Sequence, residues 1–239
     1  MKKRIIAIIC IVLAAAACVG LFFGVSSCIK SRKEAAERKR LMRKYVENKK
    51  AIYAEENAAG GDYEIIFLGD SLTDGCDIAK YYGEYRASNR GIGGDTTYGL
   101  IERLQVSAFD AHPQVIVLLI GGNDILGGKS IESVCKNYET IITGIRQHLP
   151  DTAIVWCSLS PLGNDWAKHN ETVIRCNERI RQLAEKYGCA FVDIFSPLCN
   201  AQTGEIYEEY TVEGVHFTDA GYNVVSAAVK EALCEALGH

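Results

Sequence analysis

The strongest constraint on the fold is an alternation that begins after Gly60-Gly61, where short β-branched or apolar runs take turns with stretches whose apolar residues repeat at helical spacing. The runs are Glu64 to Leu68, Gln114 to Ile120, Thr152 to Ser158 and Ala190 to Phe195, with a weaker one from Ala87 to Arg90. Strands separated by helices pair in parallel, and a parallel sheet is covered on both faces, so its strands read as continuous apolar runs. Between them, Ile131, Val134, Tyr138, Ile141, Ile142 and Ile145 fall on one helical stripe, as do Val173, Ile180, Leu183, Ala184 and Tyr187. Val225, Val229, Leu233 and Leu237 give a closing helix. The expectation is an α/β domain over residues 59–239, a five-stranded parallel sheet between helical layers.

Open parallel sheets bind ligands beyond the carboxyl ends of their strands. Polar clusters stand where that rule places them: Gly69-Asp70-Ser71, Asn89 to Thr97, Gly121-Gly122-Asn123-Asp124, and a late loop from Val212 to Thr218. A serine hydroxyl needs a base to become a nucleophile, and of the five histidines only His216 lies in a loop at the expected active edge. Glu213, three residues earlier, is placed to hold the other imidazole nitrogen. For the developing oxyanion, Ser71 offers its backbone N–H, Gly94 an unobstructed backbone N–H, and Asn123 a side-chain amide. Leu72, Tyr98, Ile125 and Leu126 are expected around the mouth. Asp124 reads as structural, and Asp70, Asp74 and Asp95 as loop groups behind the site.

These four blocks, Gly69-Asp70-Ser71-Leu72, Gly91-Ile92-Gly93-Gly94-Asp95, Gly121-Gly122-Asn123-Asp124 and Gly214-Val215-His216, resemble those of the SGNH, or GDSL, hydrolase family over residues 63 to 235. The resemblance implies a flavodoxin-like three-layer α/β/α sandwich and a serine esterase that needs no metal or other cofactor. By it Ser71 is the nucleophile, His216 the base, Glu213 the acid, and Ser71, Gly94 and Asn123 the oxyanion donors, with Gly93 as the alternative to Gly94. The family pattern has Asp three residues before the histidine, where this chain has Glu213. The branch it most resembles contains lysophospholipases and platelet-activating-factor acetylhydrolases, so small-molecule, lipid or glycan esters are the expected substrates. A catalytically silent surface module that binds an acylated lipid or glycan is the competing expectation, with Glu213 as its support.

Ahead of the domain, Lys2, Lys3 and Arg4 precede an uninterrupted apolar run from Ile5 to Val25, long enough to cross a bilayer as a helix. Residues 1–28 are expected to be a signal anchor, or a lipoprotein signal ending at Cys28. Residues 29–58 read as a basic, solvated helical stalk. The first 50 residues hold 13 Lys/Arg against 3 Asp/Glu, while the whole chain holds 26 against 30, so the remainder carries a net charge of -14. That acidic balance argues against a nucleic-acid partner. The expected location is the membrane, reached through residues 5–25, with the catalytic domain on the extracytoplasmic side. Ten Lys/Arg from Lys30 to Lys50 pull the other way.

The ten cysteines include no C-x-x-C pair and read as small buried apolar side chains, and no metal site is expected. Gly128-Lys129-Ser130 imitates the end of a phosphate-binding loop, but Asn123 occupies the position of its leading glycine. A capped helix entrance is the expectation there.

Overall fold

A computed structural model describes the backbone from Lys2 to Gly238 and the side chains from Cys28 to Gly238. The strands are β1 (Ile65–Gly69), β2 (Ala87–Gly91), β3 (Val115–Leu119), β4 (Ala153–Cys157) and β5 (Ala190–Val192). All neighbours are parallel, in the order β2-β1-β3-β4-β5. The helices are α1 (Lys2–Ala58), α2 (Ser71–Asp74), α3 (Ile78–Tyr82), α4 (Thr97–Ile101), α5 (Leu104–Ser107), α6 (Gly122–Leu126), α7 (Ile131–His148), α8 (Asn170–Lys186), α9 (Phe195–Leu198) and α10 (Asp219–Leu237).

Every residue of β1 and β3 is buried, which requires helices on both faces. One group of helices has α7 packed between α4 and α8; another has α10 lying on β4 and β5 beside α3 and α9. The stripe Val134, Tyr138, Ile141, Ile142 and Ile145 is the buried face of α7. Tyr138 meets Trp156 of β4 edge-on, with ring centroids 5.0 Å apart. Ser130 caps α7 by accepting a hydrogen bond from Ser133 N at 3.2 Å, so Gly128-Lys129-Ser130 is a helix entrance. The described cysteines are all free, and Cys135, Cys157 and Cys176 are buried.

Two strands differ most from the expectation. The last run stops at Val192 because the Asp193 carboxylate accepts from Phe195 N and Ser196 N and turns the chain into α9. The weak run becomes a full strand, β2, although its residues are Ala87, Ser88, Asn89, Arg90 and Gly91. Its polar groups find partners far away in sequence: Asn89 Nδ2 donates to Thr73 O at 2.7 Å, and the Arg90 guanidinium, fully buried, lies between the rings of Tyr53 and Tyr63.

That arrangement also moves the domain boundary. The compact unit runs from Lys49 to the C-terminus, so the last turns of α1 belong to it rather than to a stalk ending at 58. Tyr53 is buried there, and Glu56 pairs with Arg90 at 3.0 Å. The preceding unit is helical from Lys2 to Asn48, and from Cys28 to Lys44 every residue is exposed. The apolar run Ile5–Val25, expected to meet a membrane, lies outside the residues whose side chains are described. Among the described residues no helix is long and apolar enough to cross a membrane.

Candidate active site

The sheet register aligns the ends of three strands: Gly69 pairs with Gly91 on one side and with Leu119 on the other. The loops after β1, β2 and β3 therefore leave at one level. The chain order reverses between β1 and β3, and the crevice opened by that reversal is where such folds hold ligands.

Ser71 enters this crevice from a sharp turn. A Cβ on Gly69 would collide with the Leu119 carbonyl and the Thr73 hydroxyl, so glycine is required. Asp70 then caps α2 by accepting from Leu72 N at 3.1 Å, which starts the helix at Ser71. Ser71 Oγ lies 2.9 Å from His216 Nε2.

The histidine loop is a tight structure of its own. Val212 N donates to His216 O at 2.9 Å, Thr211 Oγ1 donates to the same carbonyl, and Gly214 N donates to Thr211 Oγ1. Gly214 has φ +90°, and a Cβ there would strike the Gly163 backbone, whose N–H donates to Gly214 O at 2.8 Å. The loop after β4 thus fixes the height of His216. Glu213 Oε1 contacts His216 Nδ1 and also accepts from His216 N at 3.3 Å. The extra methylene of glutamate, relative to the aspartate of the resemblance, is absorbed within the turn. Roughly half of each side chain is exposed, so this pair orients the ring more than it stabilises the fold.

Gly94 and Asn123 approach from the other two loops. Gly94 is exposed with φ +75°, a conformation that favours glycine. Gly93 N already donates to Asp74 Oδ2 at 3.2 Å, which leaves Gly94 as the better donor of the two. Asn123, in the first turn of α6, donates one Nδ2 hydrogen to Asp95 O at 2.8 Å and keeps a second. Its neighbour Asp124 is structural: it accepts from Thr97 N and from Thr97 Oγ1, both at 2.8 Å, and so ties the loop after β2 to the loop after β3.

Beside Ser71 a small cleft of about 30 Å³ is lined by Leu72, Leu119, Leu126, Leu159, Leu162, Val173 and Val215, with Asn123 and Ser160 among its polar groups. Leu72 and Leu126 stand where the sequence places them. Ile125 instead turns into the core, and Tyr98 faces outwards with its hydroxyl on Glu102.

Arg103 carried no local signal in the sequence, yet it holds the whole edge together. It is buried, pairs with Asp95 at 2.7 Å, and donates to Gly69 O at 2.9 Å and Arg90 O at 2.8 Å, joining β1, β2 and the glycine loop. Breaking a pair this buried costs on the order of 3–5 kcal/mol, against about 0–1 kcal/mol for an exposed pair. Among the described residues no cluster of His, Cys, Asp or Glu is arranged to hold a metal.

Burial pushes the Asp70 carboxyl up to about 7; the Leu72 N–H and His216 oppose the shift, and Asp95 and Asp124 add to it. A raised acid folds best when neutral. Its contribution to stability is therefore complete below the ordinary value of 3.8 and is lost as pH rises to 7. Asp70→Asn keeps an acceptor for Leu72 N but cannot ionise. Its thermal midpoint should gain several degrees on wild type between pH 4 and pH 7 and level off above; parallel curves would contradict the burial argument.

Residues 67–224 match the GDSL-like lipase/acylhydrolase family, more than half of the chain. The alpha1 subunit of platelet-activating factor acetylhydrolase IB from Bos taurus is 27% identical over 180 residues, 73% of this chain and 76% of that protein. A solved structure from Streptococcus pneumonia, described as a platelet activating factor, superposes with a TM-score of 0.78 at 27% identity, covering 83% of this chain and 97% of that one. An acetylxylan esterase from Geobacillus stearothermophilus shares the fold, with a TM-score of 0.60 at 18% identity over 74% of this chain and 94% of its own. The chain belongs to the GDSL-like lipase/acylhydrolase family and is an SGNH-type hydrolase.

Proposed function

We propose that this hydrolase is a serine esterase that removes short acyl groups through an acyl-enzyme. The observation that carries the reading is Ser71 Oγ at 2.9 Å from His216 Nε2, with Glu213 on the opposite ring nitrogen. In the forward step His216 Nε2 takes the Ser71 proton as Oγ attacks the ester carbonyl carbon. Ser71 N–H, Gly94 N–H and Asn123 Nδ2 meet the resulting oxyanion. Collapse expels the alcohol, which leaves with the proton held on His216. Water then repeats the sequence on the acylated serine, releasing the acid. Glu213 stabilises the imidazolium formed in both halves.

The size of the cleft supports a short group on the acyl side. A cavity of about 30 Å³ has room for about two water-sized groups, and leucine and valine side chains line it together with Ser71, Asn123 and Ser160. A space of that size suits a short acyl tail such as acetyl better than a long one. The names of two similar proteins, an acetylhydrolase and an acetylxylan esterase, point to the same acyl group. On p-nitrophenyl esters, kcat/KM should therefore fall by more than tenfold from acetyl to octanoyl, since the longer tail loses burial instead of gaining it. A profile that rises with chain length would sink the short-acyl reading.

Glu213→Gln tests the triad. It should slow p-nitrophenyl acetate turnover by two or more orders of magnitude, because the ring loses its orienting charge. A change of only a few-fold would instead favour a Ser71-His216 dyad. A silent binding module finds no support in this geometry, in which the longer carboxylate reaches His216.

We also propose a tether through residues 5–25 with the domain outside the cytoplasm, on the strength of the apolar run Ile5–Val25 behind Lys2, Lys3 and Arg4. Protease added to intact cells should release the domain; protection would place it on the other side.

A further inference from the structure

The segment that leads to Gly94 has three glycines in four positions, Gly91 as the last residue of β2 and then Gly93 and Gly94, and glycine restricts the backbone least. Its far end is held by Arg103 on Asp95. Its near end is held from α1. Tyr53, buried, donates its hydroxyl to Gly91 O at 2.7 Å. Lys49 Nζ lies 2.5 Å from Asp74 Oδ1, and the other oxygen of the same carboxylate accepts from Gly93 N at 3.2 Å. The Tyr53 ring also lies 4.7 Å from the Arg90 guanidinium, so the residue preceding Gly91 is gripped on its side chain as well.

Neither contact touches the cleft beside Ser71, and both residues lie outside the span 67–224 that matches the family. We infer that Lys49 and Tyr53 are positioning residues for the oxyanion-binding loop, so that the last turns of α1 set the rate of the chemical step. The inference rests on Gly94 being an oxyanion donor. Fixed donors stabilise a transition state because they need no reorganisation as charge develops, and removing one outright costs about 10²–10³ in kcat. Loosening one costs less. Substrate binding, which precedes the oxyanion, changes little.

The test uses the full chain and p-nitrophenyl acetate. Tyr53→Phe removes one hydroxyl, and Lys49→Met removes one charge at similar length. Each should lower kcat roughly tenfold with KM within about twofold, a fraction of the loss for a deleted donor. Lys49→Arg restores a cation beside Asp74 and should recover most of the rate. Thr152→Val provides the comparison: its hydroxyl also donates to a buried carbonyl at 2.7 Å, that of Pro113, but at the opposite end of the sheet. It should lower the melting temperature about as much as Tyr53→Phe and leave kcat unchanged. If Tyr53→Phe and Lys49→Met lose only stability, as Thr152→Val does, or raise KM with kcat intact, the inference is overturned while the esterase reading stands. If wild type shows no turnover that Ser71→Ala abolishes, both are overturned.

Discussion

Everything at the active edge depends on the reversal of strand order between β1 and β3, together with a register that ends Gly69, Gly91 and Leu119 at the same height. A parallel sheet leaves its strand-end carbonyls and the following loops on one side, and the reversal sends neighbouring connections to opposite faces, so a crevice opens between them. Ser71 and Asn123 flank that crevice because they follow the two strands that border it. Gly94 arrives from the outer neighbour, β2. His216 comes last, carried by a loop that its own hydrogen bonds hold tight and that the Gly163 N–H to Gly214 O bond braces on the segment after β4.

The same constraint explains what was legible beforehand. β1, β3 and β4 announce themselves because residues buried on both faces must be apolar, and their limits shift by only a residue at either end. Ser71, Asn123 and His216 are legible as candidates because turn chemistry and the proposed catalytic chemistry both favour particular residue types next to those strand ends. β2 is nearly silent because its stability comes from Tyr53, Tyr63 and Thr73, partners that no local pattern connects to Arg90 and Asn89. Arg103 is silent for a similar reason: a buried arginine with four partners looks, in one dimension, like a surface arginine. Lys49 reads as one more cation of a solvated helix until its carboxylate, Asp74, is brought beside it by the fold.

A division of labour emerges between the two sides of the site. The serine is held by a short-range device, the Asp70 cap, whereas the histidine turn combines local hydrogen bonds with a brace from Gly163 after β4. The loop after β2, which presents the proposed donor Gly94, is held by long-range partners on α1 and by Arg103. The neighbouring cleft adds a separate feature, an apolar wall built by Leu119 at the end of β3, Leu126 of α6, and Leu159 and Leu162 after β4.

The central claim is that Ser71 carries the acyl group between the two half-reactions. Mass spectrometry of the protein quenched during turnover of p-nitrophenyl acetate tests it directly, with His216→Ala used to check that acylation needs the base. The account predicts one added acetyl group, located on the peptide that contains Ser71 and absent from Ser71→Ala. An acetyl group on another residue, or steady turnover by Ser71→Ala, would contradict it.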